Sequence, residues 1–150
     1  MTLDDLRHAN LRALDEMYGS DDPVAVPTGR YRGVYLQPVE GADASRLANR
    51  VMVRVGFRTI PFGLDFDARC WWFGLPQARI SRFEPTVDRS RWRPATVVRL
   101  GYDVSRLPAF VRRHLYDEVK PLGPTLCLGI GGLNRPAGRG ALFYFALVPS

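Results

Sequence analysis

Leu115-Tyr116-Asp117-Glu118-Val119-Lys120-Pro121-Leu122-Gly123-Pro124-Thr125-Leu126-Cys127-Leu128-Gly129-Ile130-Gly131-Gly132 joins a charged segment with apolar residues at helical spacing to a run rich in glycine. Its first part reads as the end of an amphipathic helix stopped by Pro121 and Pro124, since proline cannot supply the N–H a helix interior requires. Its second part alternates with the period of a strand: Leu126, Leu128 and Ile130 point one way, Cys127, Gly129 and Gly131 the other. The glycine side lacks bulk, which leaves room for a neighbouring ring or a bound molecule. The adjacent acids Asp117 and Glu118 set a polar handle beside that face.

Ser105 can cap the helix, with Pro108 in its first turn and Phe110, Val111, His114, Leu115 and Val119 along its apolar face. Downstream, Ala141 to Val148 is apolar on both faces and therefore predicts a central strand. Upstream, Thr96, Val98, Leu100 and Tyr102 alternate as a strand. Ile60, Phe62, Leu64 and Phe66 form another, and Asp65-Phe66-Asp67-Ala68 turns the chain into Cys70–Leu75 as a hairpin. One weak strand is expected near Arg79–Glu84, followed by an arginine-rich loop that carries Trp92. Thr2 caps an N-terminal helix with Leu3, Leu6, Leu14, Met17 and Tyr18 on one side, ended by Gly19 and lying on the outside of a sheet. His8 in it is expected to be solvated. Residues 45–58 fit a helix through Leu47, Val51 and Val55, or a strand through Val51, Val53, Val55 and Phe57. Length favours the helix, which would align Arg46, Arg50, Arg54 and Arg58 against the acidic N-terminal region or an anionic partner.

Gly29-Arg30-Tyr31-Arg32-Gly33-Val34-Tyr35-Leu36 places Tyr31, Gly33 and Tyr35 on one strand face. This segment resembles the Gly-X-Trp opening of lipocalin-type barrels. It is more similar still to the Gly-X-Trp-X-Gly motif of a bacterial domain family without established function, with Tyr31 at the Trp position. Tyr116–Gly132 resembles uncharacterised bacterial proteins related to that family. The resemblance implies a calycin-like β-barrel in a bacterial protein. It also implies that Arg135 or Arg139 packs across Tyr31 to close one barrel end.

The fold class expected is mainly β, α+β by content. It is an antiparallel lipocalin-like barrel or strongly curled sheet with two or three covering helices, in a single domain over residues 1–150. No apolar run reaches the roughly 20 residues of a membrane span. The acidic start Met1-Thr2-Leu3-Asp4-Asp5 shows no secretory signal, and the two cysteines, Cys70 and Cys127, fall short of a disulfide framework. A cytoplasmic protein is expected.

Residues 1–43 carry four Arg against eight acids, and residues 44–113 carry fourteen Arg against five. Twenty of the twenty-one bases are Arg, so the basic middle reads as coding bias more readily than as a nucleic-acid face, for which no motif is present. The two histidines and two cysteines match no zinc spacing, so no metal and no cofactor is expected.

Small barrels of this kind either hold one small ligand or fill themselves with side chains. The first reading expects a small hydrophobic molecule, with or without an acidic group, lined by Tyr35, Phe62, Phe66, Trp72, Tyr102, Cys127, Gly129 and Tyr144. The second expects a small-molecule enzyme of isomerase, cyclase or hydrolase type. Its acid/base candidates are His114, Tyr116, Asp117 and Glu118, with His114 and Glu118 meeting four apart on the helix. The third is an interaction module that presents the basic middle segment to an anionic partner.

Overall fold

The structure is a computed structural model and describes residues 1–39, 55, 57–133 and 141–150. Among these residues nine antiparallel strands form one sheet: β1 (Arg30–Pro38), β2 (Phe62–Asp65), β3 (Cys70–Phe73), β4 (Arg79–Arg82), β5 (Glu84–Arg89), β6 (Thr96–Gly101), β7 (Leu115–Gly123), β8 (Leu126–Leu133) and β9 (Ala141–Pro149). Their spatial order is β4-β3-β2-β1-β9-β8-β7-β6-β5, which puts β9 at the centre, and the sheet curls into a nearly closed barrel. The seam runs between β4 and β5, consecutive strands separated by the buried Phe83. Side chains tie the two sides of that seam. Ser81 and Ser105 share a hydrogen bond of 3.2 Å, and Arg69 pairs with Glu84 at 2.8 Å.

Strand alternation sorts the apolar side chains into two cores. Facing inward are Tyr31, Phe62, Leu64, Phe66, Trp71, Val98, Leu100, Val119, Cys127, Phe143, Phe145 and Leu147, with Tyr35, Phe73 and Leu115 partly buried against them. The rings interlock: Phe62 lies 6.1 Å from both Trp71 and Phe145, and Tyr35 stacks on Phe143 at 5.5 Å. Facing outward, Leu128, Ile130, Leu142, Tyr144 and Ala146 meet Leu6, Leu14 and Tyr18 of the N-terminal helices. The cover helix expected on the outside of the sheet is therefore present, but as two pieces. α1 (Leu3–His8) carries a Thr2–Asp5 capping box, and the chain restarts at α2 (Leu11–Tyr18), where Asn10 Oδ1 accepts from the Ala13 N–H at 2.9 Å. Asn at a cap satisfies a helix's first N–H groups, which makes the break at Ala9 stable. His8 is exposed, its Nδ1 2.8 Å from the Asp4 carbonyl.

One element departs from the sequence reading in kind. The helix expected to run through Val119 is confined to α3 (Ala109–Arg112), and Leu115–Gly123 is strand β7. Leu115 and Val119 are four apart, a spacing that puts them on one face of a helix and equally on one face of a strand. The decision falls to pairing: β7 runs beside β8 from Leu115–Leu133 to Gly123–Leu126, with a bulge between Pro121 and Gly123 that accommodates the proline. The weak strand near Arg79–Glu84 is also two elements, β4 and β5, divided at Phe83. The hairpin of β2 and β3 and strands β1, β6, β8 and β9 stand where their alternation predicts. Of residues 45–58 only Val55, Phe57 and Arg58 are described, and Phe57–Thr59 form a short helical segment; the rest of that stretch, its arginine stripe up to Arg54, and Arg135 and Arg139 lie outside the described residues. Arg58 is described, and its guanidinium lies 5.8 Å from the Tyr35 ring.

Candidate ligand site between two splayed strands

β6 and β7 are ladder partners only at Val98–Val119 and Arg99–Glu118. Beyond that point Leu100, Gly101 and Tyr102 on one side and Leu115, Tyr116 and Asp117 on the other border a cleft of about 500 Å³, with α3 along its rim. The wall of the barrel is open here because the chain leaves β6 for the Asp103–Pro108 loop and α3 before returning as β7.

Asp117 sits at the inner side of this opening. Trp71 Nε1–H donates to the Tyr102 hydroxyl at 2.6 Å, and Tyr102 O–H in turn donates to Asp117 Oδ2. The chain of bonds therefore starts across the barrel at β3 and ends on β7. Burial pushes the Asp117 carboxyl up to about 7, against the hydrogen bonds from Tyr102 and the Gly132 N–H, which favour its charged form. Burial, then the neighbouring Asp117, holds Tyr102 well above the ordinary tyrosine range.

Arginines surround the outer part of the cleft. Arg99 is paired with Asp88, Arg112 Nη1 donates to the Asp103 carbonyl at 2.7 Å, and Arg113 Nε reaches the Ala109 carbonyl at 3.4 Å. Arg112 Nε is buried with no partner among the described residues, and Arg91 also lines the space. An anionic oxygen entering the cleft would meet these groups first.

The opposite face of β7 carries a separate polar cluster. Glu118 is fully buried and accepts from Tyr18 O–H at 2.7 Å, from Tyr116 O–H, from Ser90 Oγ–H and from the Arg91 N–H at 3.3 Å. Two residues further along the same face, buried Lys120 donates to the carbonyls of Ser20, Asp22 and Thr96, and burial lowers its pKa. Asp15 of α2 accepts from Tyr144 O–H and from Arg93 Nε at 2.9 Å. These contacts fasten the N-terminal helices and the Ser90–Arg93 turn to the sheet, and so fix the Arg91 side of the cleft.

Of the residues expected to line a ligand, Phe62, Phe66, Tyr102, Cys127 and Gly129 face the barrel interior and Tyr35 borders it. Cys127 is buried, which pushes its thiol up to about 12 and leaves it unreactive. The bulk-free side of Gly129 is occupied by the Phe145 ring, so the neighbouring-ring alternative applies there. Trp72 and Tyr144 belong to the other face: Trp72 lies over Gly63, and Tyr144 packs beneath α2. Among the acid/base candidates, strand alternation separates Asp117, inside, from Tyr116 and Glu118, outside. His114 precedes β7, so the helical approach of His114 to Glu118 does not form. Trp71, which reaches the cleft only through Tyr102, and Arg91 and Arg112, which line it, are not indicated as site residues by the sequence. The parity of Trp71 relative to Phe62 and Phe73 was the available signal for the first, and local sequence held none for the other two. Among the described residues no group of three His, Cys, Asp or Glu side chains could hold a metal ion. No described helix is long and apolar enough to cross a membrane.

The position of Asp117 yields a prediction about pH. Its folded-state pKa is raised, from 3.8 to about 7, so the folded protein binds the proton more tightly than the unfolded chain. Stability contributed by this group is complete below pH 4 and falls as pH rises to 7, by up to about 4 kcal/mol at 1.36 kcal/mol per unit. The ordinary surface carboxylates have already ionised by pH 5. Urea unfolding should therefore give lower wild-type stability at pH 8 than at pH 5, and Asp117→Asn should flatten that difference. A wild-type profile that rises over this interval would contradict the placement.

The chain matches no protein-family model and no curated protein. It is similar in structure to a protein from Thermomonospora curvata, with TM-score 0.53 and 13% sequence identity over 95% of this chain and 88% of that one. At that identity the likeness concerns the fold, and it supports the barrel.

Proposed function

We propose that the protein binds a small acidic molecule with an apolar body, and that the opening between β6 and β7 is where it enters. The observation that carries this reading is the juxtaposition of a gap in the barrel wall, the Asp117–Tyr102 pair on its inner side, and arginines outside it. In this reading Arg91 and Arg112 receive the acid group, and Leu100, Tyr102 and Leu115 flank the apolar part. The aromatic interior formed by Phe62, Phe66 and their neighbours is the rigid support behind the site. The Gly29–Gly33 motif supports kinship with calycin-type barrels and is part of the same proposal.

The test is calorimetric titration with octanoate and benzoate beside the neutral alcohols 1-octanol and benzyl alcohol. The acids are expected to bind and the alcohols to bind at least tenfold more weakly, with Arg112→Ala reducing acid affinity by about tenfold, the scale of one charge-assisted hydrogen bond. Equal binding of acids and alcohols, or no binding of either, would overturn the reading.

One observation favours a second reading. A carboxyl that titrates near 7 beside a cleft is suited to general acid/base work. Turnover of a small carbonyl acid that disappears in Asp117→Asn would support an enzyme, and an inert wild type across such substrates would remove it.

A further inference from the structure

Asp117 presents the opening with a problem in electrostatics. The arginines around the cleft attract an anion, yet the group on its inner side is itself an acid, buried and bonded, among the described residues, to the neutral donors Tyr102 and Gly132 N–H. Two ionised carboxyl groups brought together in a poorly solvated space repel, and the repulsion is relieved when they hold one proton between them.

We propose that the opening takes up small carboxylic acids together with a proton, which is shared between the ligand's carboxyl group and that of Asp117. This rests on the reading of the opening as a ligand site and specifies what that site selects: acids whose anion can accept a hydrogen bond from neutral Asp117. No covalent bond changes. The ligand arrives as its anion; the shared proton is already on Asp117 below pH 7 and is taken from water above it.

The charges around Asp117 are consistent with it. Arg99 on β6 is neutralised by Asp88 on β5. Arg112 and Arg113 on and after α3, and Arg91 from the β5–β6 turn, stand on the outer side, with Asp103 between β6 and α3. Glu118 and Tyr116, next along β7, project to the opposite face, where Glu118 is enclosed by its four donors and disfavours a second negative charge on Asp117. From β3, Trp71 contributes a neutral donor through Tyr102. The proton of Asp117 is held within reach of neutral pH, so its uptake needs no extreme condition. By linkage, protonation raises acid affinity by the same factor by which the acid raises proton affinity.

The test is titration calorimetry of the full chain with benzoate at pH 5.5, 7.0 and 8.5, each in two buffers of different ionisation enthalpy. Benzoate stays ionised across this range, so any proton taken up is taken up by the protein. Affinity is expected to change little below pH 6.5 and to weaken about tenfold per pH unit well above 7, with proton uptake approaching one per benzoate at pH 8.5. Asp117→Asn should bind benzoate with no pH dependence. As a check that needs no variant, the Asp117 carboxyl carbon followed by NMR should titrate about two and a half pH units higher in the benzoate complex. Benzoate binding at pH 8.5 without proton uptake overturns the shared proton and leaves the ligand site standing. Where benzoate fails and octanoate binds, octanoate takes its place in the same titrations, and its binding at pH 8.5 without proton uptake overturns this inference only. Failure of both anions overturns the ligand site as well.

Discussion

Replacing Glu118 with alanine is expected to destabilise the protein by about 3–5 kcal/mol, the range for breaking a buried charged network by removing one partner. The carboxyl group accepts from Tyr18, Tyr116, Ser90 and the Arg91 N–H, and it is fully enclosed. Each donor left dry costs about 1–3 kcal/mol, reduced where a second acceptor exists. Arg91 N–H has one in the Tyr116 oxygen at 3.1 Å, whereas Tyr18 has only Glu118 among the described contacts. Loss should therefore be felt first at α2, with cleavage by a protease near Gly19–Pro23 at denaturant levels the wild type resists. Glu118→Gln keeps the shape and one acceptor oxygen but turns two N–H groups toward existing donors, so an intermediate loss is expected. Guanidinium unfolding curves decide the matter. A change below 1 kcal/mol for the alanine variant would show that water enters the cluster and that the cluster holds little.

The second large effect is expected inside the barrel. Phe145→Ala should cost about 3–5 kcal/mol, as for other enclosed rings. The Phe145 ring packs on Phe62, Trp71 and Phe143 and lies against the bare backbone of Gly129. A Cβ at residue 129 would stand 2.2 Å from Phe145 Cζ, and the surrounding rings leave Phe145 nowhere to withdraw. Gly129→Leu alone should thus also destabilise, by about 1–3 kcal/mol or more. Together the two changes exchange a ring for a branched chain in the same space, so Gly129→Leu/Phe145→Ala should be more stable than the sum of the single losses. Strict additivity in a double-mutant cycle would show that the ring and the glycine do not share that space.

The barrel was readable where one face of a strand differs from the other. β8 has Leu126, Leu128 and Ile130 against Cys127, Gly129 and Gly131, and β9 is apolar throughout, so both their identity and the central place of β9 follow from residue type. The cleft was less readable, for two physical reasons. Residues 115–119 satisfy a four-residue period, and only pairing with β8 separates strand from helix. Its acid/base candidates were then placed in the wrong company, with His114 beside Glu118 and no separation of Asp117 from Glu118. The second reason is distance along the chain. Tyr18 meets Glu118 across 100 residues and Trp71 meets Tyr102 across 31, and no local pattern encodes such a meeting.

The central place of β9 bears on how the chain is made. Four strands, β4-β3-β2-β1, lie on one side of it and four, β8-β7-β6-β5, on the other, and it is the last of the nine to be translated. Until β9 emerges from the ribosome, β1 and β8 face each other as unpaired apolar margins of two half-built sheets, the condition in which nascent chains aggregate. Its arrival joins Tyr31 to Pro149 and Cys127 to Leu147 in one step, and the first of these links carries a large loop-closure entropy. Such a topology folds on the slow side, over milliseconds to seconds, and in the cell it depends on whatever shields the two half-sheets during that interval.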